Sequence, residues 1–188
     1  MKKLNVGCGR NPISGWINLD SVALPDVDIV ANLETCGDQP LPLATDSVNE
    51  FLLSHVMEHI RNVLPMMQEL HRIAAPNALM TVRVPYGSSD DALEDPTHVR
   101  QLFVGSMGYF SQPFYWRADY GYRGDWQTES TTLYLRSGLN HVPDSQLWER
   151  IERDRNVVRE MVTTLRAVKP IREPRRDLQT VPTVTLQR

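Results

Sequence analysis

The run Leu4-Asn5-Val6-Gly7-Cys8-Gly9, followed a few residues on by Trp16-Ile17-Asn18-Leu19-Asp20, decides the fold. Leu4-Asn5-Val6 reads as a buried strand that empties into a tight loop, because glycine permits positive φ and close approach of backbone to a ligand. The second run reads as a strand ending in a carboxylate. A glycine loop after one strand and an acid at the tip of the next is a nucleoside-binding layout: loop amides approach the ligand and the acid accepts ribose hydroxyl protons. On its own Gly7-x-Gly9 is equally a strand-to-turn glycine pair, so the order of the neighbouring segments has to decide.

Between the two strands, Asn11-Pro12 and Ser14-Gly15 are turn signals and leave no room for the usual first helix, which is expected to be shortened to a loop. Pro12 occupies the place of the third glycine of a G-x-G-x-x-G dinucleotide fingerprint, which argues against an oxidoreductase. Val27 to Ala31 and Asn49 to Ser54 are the next strands, separated by a Pro-containing loop at Gln39 to Pro42. From Val63 to Ile73, Val63, Leu64, Met67, Leu70 and Ile73 recur at helical spacing, with Pro65 tolerated in the first turn and Pro76-Asn77 as the stop. Leu79 to Val84 is again a strand, so strand, helix, strand makes a parallel crossover.

Residues 86–126 change character. A polar loop, Gly87 to Asp91, precedes Tyr109, Phe110, Phe114, Tyr115, Trp116, Tyr120, Tyr122 and Trp126, and the stretch reads as a substrate-side insertion or lid. Its aromatics suit a planar or sugar acceptor, but a lid packing on its own core has the same composition and is the favoured reading. Thr131 to Arg136 is a strand and Ser145 to Arg153 a helix with Asp144 as its N-cap. Val157 to Val168 fits helix and strand spacing alike. Residues 174–188 are polar and aperiodic and read as a mobile tail or a partner-binding arm.

At 188 residues with 41% hydrophobic content the chain suits one domain, residues 1–173, followed by that tail. A net charge of -3 offers no broad field for nucleic acid or an anionic membrane, so neither is expected as a partner. Cys8 and Cys36 form no disulfide framework or zinc pattern, and a cytoplasmic location is the default. The basic start and short apolar run of Met1 to Val6 are too short for a signal peptide. A homodimer is compatible with this size.

From about residue 3 to 110 the chain resembles class I S-adenosylmethionine-dependent methyltransferases of the small methyltransferase domain 11 type. The resemblance rests on five ordered pieces: Leu4 to Gly9; Gly15 to Asp20; Leu41-Pro42-Leu43 with Asp46-Ser47-Val48; Ser54-His55-Val56-Met57-Glu58-His59-Ile60; and Glu69 to Ile73. It implies an α/β, Rossmann-like fold with a mostly parallel seven-stranded sheet flanked by helices. It implies S-adenosylmethionine as cofactor, held by Asn5, Gly7, Cys8, Gly9, Asp20, Asn32, Leu33, Ser54 and His55, with Glu34 also near the adenine. The family's Pro-Gly-Gly turn is Pro76-Asn77-Ala78 here. Arg155 to Pro170 resembles the family's last strand, which settles that ambiguous segment as strand.

The expected reaction is methyl transfer to oxygen or nitrogen of a small molecule or sugar. His55, His98 and His59 are the candidate bases, since an ordinary imidazole pKa near ~6.5 suits proton removal at neutral pH. His71 and His141 read as surface residues. Asp90, Asp91, Glu94 and Asp95 read as a solvated loop, and no metal is expected. Two rival readings stay open: a macromolecular acceptor approached through Arg172, Arg175 and Arg176, and a non-catalytic cofactor-binding scaffold, which the altered Pro76-Asn77-Ala78 turn keeps alive.

Overall fold

A computed structural model describes all 188 residues. The strands β1 (Lys3–Val6), β2 (Ile17–Asp20), β3 (Ile29–Val30), β4 (Val48–Ser54) and β5 (Ala74–Pro85) carry the parallel half of the sheet. β6 (Trp126–Leu135), β7 (Val158–Ala167) and β8 (Thr183–Gln187) complete it in the order β3-β2-β1-β4-β5-β7-β6-β8. Only β7 runs against its neighbours. β7 inserts antiparallel between β5 and β6, which it reaches from β6 through a helical connection.

The sheet has eight strands where seven were expected, and the extra one comes from the segment read as a tail. Thr183–Gln187 pairs with β6, and Arg188 bonds the Val142 carbonyl and pairs with Asp144. Sequence alone hides this strand, since both faces of an edge strand remain partly wet and Thr-Val-Thr-Leu-Gln has few apolar residues. Arg172 anchors the segment before it on Asp125, which is fully buried.

Two helices of three turns fill the covered side: α1 (Val63–Ile73) and, after the one-turn α2 (Asp90–Glu94), α3 (Asp144–Arg153). Asp144 opens α3 but caps nothing; Pro143 holds the cap position. α1 buries Val63, Met66, Met67, Leu70 and Ile73 in the same apolar cluster as Leu4, Val6, Phe51, Leu53, Met80 and Val82. Fully burying each such side chain contributes about 1.5–3 kcal/mol. Trp126 begins β6 rather than closing a lid. Its indole donates to the Met67 carbonyl at 3.0 Å and meets Phe51 edge-on, joining β6 to α1.

His71 also faces this cluster. It is 3% exposed, not on the surface, because it lies one helical turn from Met67. α1 passes directly into β5, and Asn77 takes φ 63° inside a three-residue register shift against β4, so the Pro76-Asn77-Ala78 turn becomes a bulge.

No helix links β1 to β2 or β2 to β3. In place of the first helix, loop 7–16 folds back over the sheet on a hydrogen-bond net centred on Asn18. Asn18 Oδ1 accepts from Asn5 Nδ2 and the Ile13 amide, and the Asn18 amide donates to Asp28. Further along the same face, the strands alternate to wet, polar rows: Lys3 pairs with Glu50 at 2.7 Å, and Leu79 is 45% exposed. No helix is long and apolar enough to cross a membrane.

Candidate functional site

The carboxyl ends of β1, β2, β3 and β4 converge, as open α/β sheets require of a ligand crevice. Gly7 leaves β1 at φ +64°, and a Cβ there would stand 2.6 Å from Val56 Cγ2. Asp20 ends β2. Its Oδ2 accepts the Gly9 amide at 2.8 Å and its Oδ1 the Val22 amide at 3.0 Å. Each oxygen keeps a lone pair, which suits a ligand that brings hydroxyl donors.

Gly7, Asp20, Asn32, Leu33, His55, Val56, His59 and Ile60 line a cleft of about 190 Å³ with Ser21. The cleft thus gathers five of the residues expected around the cofactor. The others take different places. Asn5 is buried with its amide committed to Asn18 and the Asn11 carbonyl. The Cys8 thiol is buried and pushed up from its ordinary pKa, first by burial and then by Asp20, which leaves a poor nucleophile. Gly9 acts through its amide on Asp20, and Ser54 is the last residue of β4, outside the lining. Glu34 turns away to accept the Arg61 and Asn62 amides at 2.7 and 2.8 Å.

His55 follows β4 with φ 55°, while the other non-glycine residues at positive φ are Asp or Asn, which tolerate it better. Its Nε2 meets Glu160 Oε1 at 3.1 Å. Nδ1 stands 3.4 Å from Glu58 Oε1, an ion-pair contact that lacks hydrogen-bond geometry. Glu58 foremost, then Glu160, raises the imidazole pKa against the opposing effect of burial.

His55 and His59 also border a second cleft of about 520 Å³, lined otherwise by Pro85, Asp91, Glu94, Asp95, His98, Arg159 and Glu160. The His59 and His98 rings meet edge to face with centroids 4.7 Å apart. All three candidate bases therefore share one wall. Glu58, Glu160 and Arg159 were not among the expected site residues. Glu58 was legible, since it stands three residues after His55 and the turn between them brings its Oε1 to 3.4 Å from His55 Nδ1. Glu160 was not, because it is 105 residues from His55 and reaches it only through the pairing of β5 with β7.

A larger cavity, about 680 Å³, lies elsewhere, between residues 61–65 and 100–120. Tyr109, Tyr115 and Tyr120 contribute to it, but it shares no residue with the cofactor cleft. Tyr122 and Trp126 are core, so the aromatic stretch divides between core and cavity wall. The basic cluster is committed elsewhere: Arg172 to Asp125, Arg175 to Asp177, and Arg176 over the Trp116 ring.

No protein-family model matches this sequence, and no curated protein sequence does. The structure is similar to solved ones. A SAM-dependent methyltransferase from Archaeoglobus fulgidus superposes with TM-score 0.62 at 12% identity, covering 88% of this chain and 85% of that one. A SAM-dependent methyltransferase from Aquifex aeolicus gives 0.54 at 13%, covering 89% and 82%. The cyclase SpnF gives 0.54 at 10%, covering 89% and 75%. The fold is that of class I S-adenosylmethionine-dependent methyltransferases.

Proposed function

We propose that the chain is an S-adenosylmethionine-dependent methyltransferase acting on oxygen or nitrogen of a small hydrophilic molecule, with a sugar the favoured acceptor. One observation carries the reading: a cleft lined by Gly7, Asp20, Asn32 and Leu33 joins a second, polar cleft at His55 and His59. The narrow cleft suits the cofactor. Asp20 offers its two remaining lone pairs to the ribose hydroxyls, Asn32 and Leu33 border the adenine, and the Gly7 backbone lies against the methionine part. The bound cofactor supplies an electrophilic methyl on a sulfonium.

The second cleft contains no large apolar side chain, and its Asp91, Glu94, Asp95 and Glu160 favour hydroxyl-rich or cationic acceptors over anionic ones. The base is the His55–Glu160 pair at the junction. The pair takes up the proton that the acceptor oxygen or nitrogen loses as its lone pair bonds to the methyl carbon. The C–S electron pair leaves with the sulfur, so charge balances without another reactant. Alignment of the acceptor and exclusion of water supply most of the rate.

Commitment of Arg172 and Arg175 to aspartates speaks against a macromolecular acceptor docking there. The scaffold reading loses its main support, since the Pro76-Asn77-Ala78 turn lies in a bulge between β4 and β5 and not in the cleft. A cyclase on the same fold shows that the fold alone does not fix the reaction. Two buried free cysteines suit a reducing compartment.

Calorimetric titration with S-adenosylmethionine and S-adenosylhomocysteine tests the reading, followed by mass spectrometry of sugar and amine acceptors for a gain of one methyl. Saturable binding with methylated product supports it. Absence of binding by the wild-type chain rejects it.

A further inference from the structure

Glu58 is a buried carboxylate without a hydrogen bond. It is 2% exposed, and neither Oε1 nor Oε2 has a hydrogen-bond partner. Burying such a charge is costly, and the neighbouring His55 ring, with Nδ1 3.4 Å from Oε1, makes no hydrogen bond to it. One oxygen of Glu58 and one ring nitrogen each of His59 and His98 lie within 4.8 Å of one another.

Hydrogen bonding orients both rings. Thr97 Oγ1 donates to Asp95 Oδ1 at 2.6 Å, so towards His59 Nδ1, at 2.9 Å, it acts as acceptor. His59 therefore carries its proton on Nδ1 and keeps a lone pair on Nε2. His98 Nδ1 donates to the Ala92 carbonyl at 3.2 Å, which leaves a lone pair on its Nε2, 3.8 Å from Asp95 Oδ2 and not hydrogen-bonded to it. Each ring thus keeps one nitrogen with a lone pair, and the cluster of the two rings and the Glu58 carboxylate holds no hydrogen bond among its three members. Imidazoles held by a carbonyl and by a carboxylate-linked hydroxyl are the supporting shell of a metal-binding histidine.

We propose that Glu58, His59 and His98 form a site for one divalent transition-metal ion of borderline softness, Zn²⁺ foremost. Two histidines and one carboxylate provide three ligands and leave positions open, and His59 and His98 border the polar cleft, where acceptor oxygens enter. Nitrogen ligands disfavour Mg²⁺ and Ca²⁺. The inference goes beyond the methyl-transfer reading and does not depend on it, since the ligands and their supports all belong to this chain.

The test uses the full-length, tag-free chain after dialysis against a chelator. Co²⁺ is titrated while its visible absorption is followed, and Zn²⁺ and Mg²⁺ are titrated by calorimetry. The expected result is one Co²⁺ per chain, displaced by Zn²⁺, with Mg²⁺ bound far more weakly. Glu58→Gln and His98→Ala lower Zn²⁺ affinity at least about tenfold, while His141→Ala, at an exposed histidine, leaves it unchanged.

Thr97→Val guards against loss of fold. Thr97 is exposed, the change preserves its shape, and it removes the hydroxyl that links His59 to Asp95, so affinity falls about 10–100-fold. The proposal is overturned if the wild type binds no Co²⁺, or if it binds equally in Glu58→Gln and His98→Ala. It is also overturned if Mg²⁺ binds more tightly than Zn²⁺, which would point to an oxygen site on Asp91, Glu94 and Asp95. Titration with S-adenosylmethionine on the same samples separates this outcome from failure of the cofactor site.

Discussion

The Gly9 amide donates to Asp20 Oδ2 across 2.8 Å, so the glycine loop and the tip of β2 form one unit. Asp20 therefore both shapes the loop and supplies lone pairs to a ligand. Asp20→Asn keeps a short acceptor but loses the charge. Hydrogen bonds to charged groups contribute about 1.5–3 kcal/mol, so affinity for S-adenosylmethionine is expected to fall by about one to two orders of magnitude. Calorimetry reads this directly, and unchanged affinity removes Asp20 from the site.

The two loop glycines differ in what surrounds them. Gly7 and Gly9 both have positive φ, but a Cβ on Gly7 meets Val56 at 2.6 Å whereas one on Gly9 meets nothing within 4 Å. Left-handed backbone costs an ordinary residue about 1–2 kcal/mol. Gly9→Ala should lose about that much stability, and Gly7→Ala more. Urea midpoints compare them. Equal losses would mean that Val56 yields and that close packing does not explain Gly7.

Arg172 bonds both oxygens of Asp125 at 2.8 Å, and Ser111 Oγ and the Gln112 amide also donate to that carboxylate. Arg172→Met leaves the carboxylate buried without its cation, a change that costs about 3–5 kcal/mol. Adding Asp125→Leu should recover part of the loss by removing the unpaired charge. If Arg172→Met alone is neutral in urea unfolding, the pair is not what holds residues 170–180 to the domain.

The parallel strands and α1 were legible because their periodicity serves a single buried face, and the meeting of Gly7, Asp20, Asn32, Leu33 and His55 in one cleft because strand ends converge in this topology. Asn5 stays outside the cleft lining for a physical reason. Its position beside the glycine loop suggests a ligand contact, yet the missing helix had to be replaced, and Asn5 with Asn18 does that work. The partners of His55 were only half legible. Glu58 is local, whereas Glu160 arrives through pairing across the sheet, which no short-range spacing encodes.

His71 offers a pH test remote from the clefts. Its ring packs edge-on to Trp126 with centroids 5.7 Å apart, and Nε2 contacts the Val168 carbonyl at 3.1 Å. Burial lowers its pKa, and the Val168 bond only partly opposes this. The folded chain therefore binds this proton less readily than the unfolded chain, whose histidine titrates near ~6.5. Linkage makes stability rise with pH wherever the unfolded state holds more protons. The contribution of neutral His71 is thus complete above about pH 6.5 and is lost as pH falls from there towards the folded-state pKa, by at most about 1.4 kcal/mol per pH unit. His71→Gln keeps a donor for Val168 without a titrating group. Urea unfolding at pH 7.5 and 5.5 should show a smaller acid loss in the variant than in the wild type. Equal losses would assign the acid sensitivity to other groups and leave His71 as packing alone.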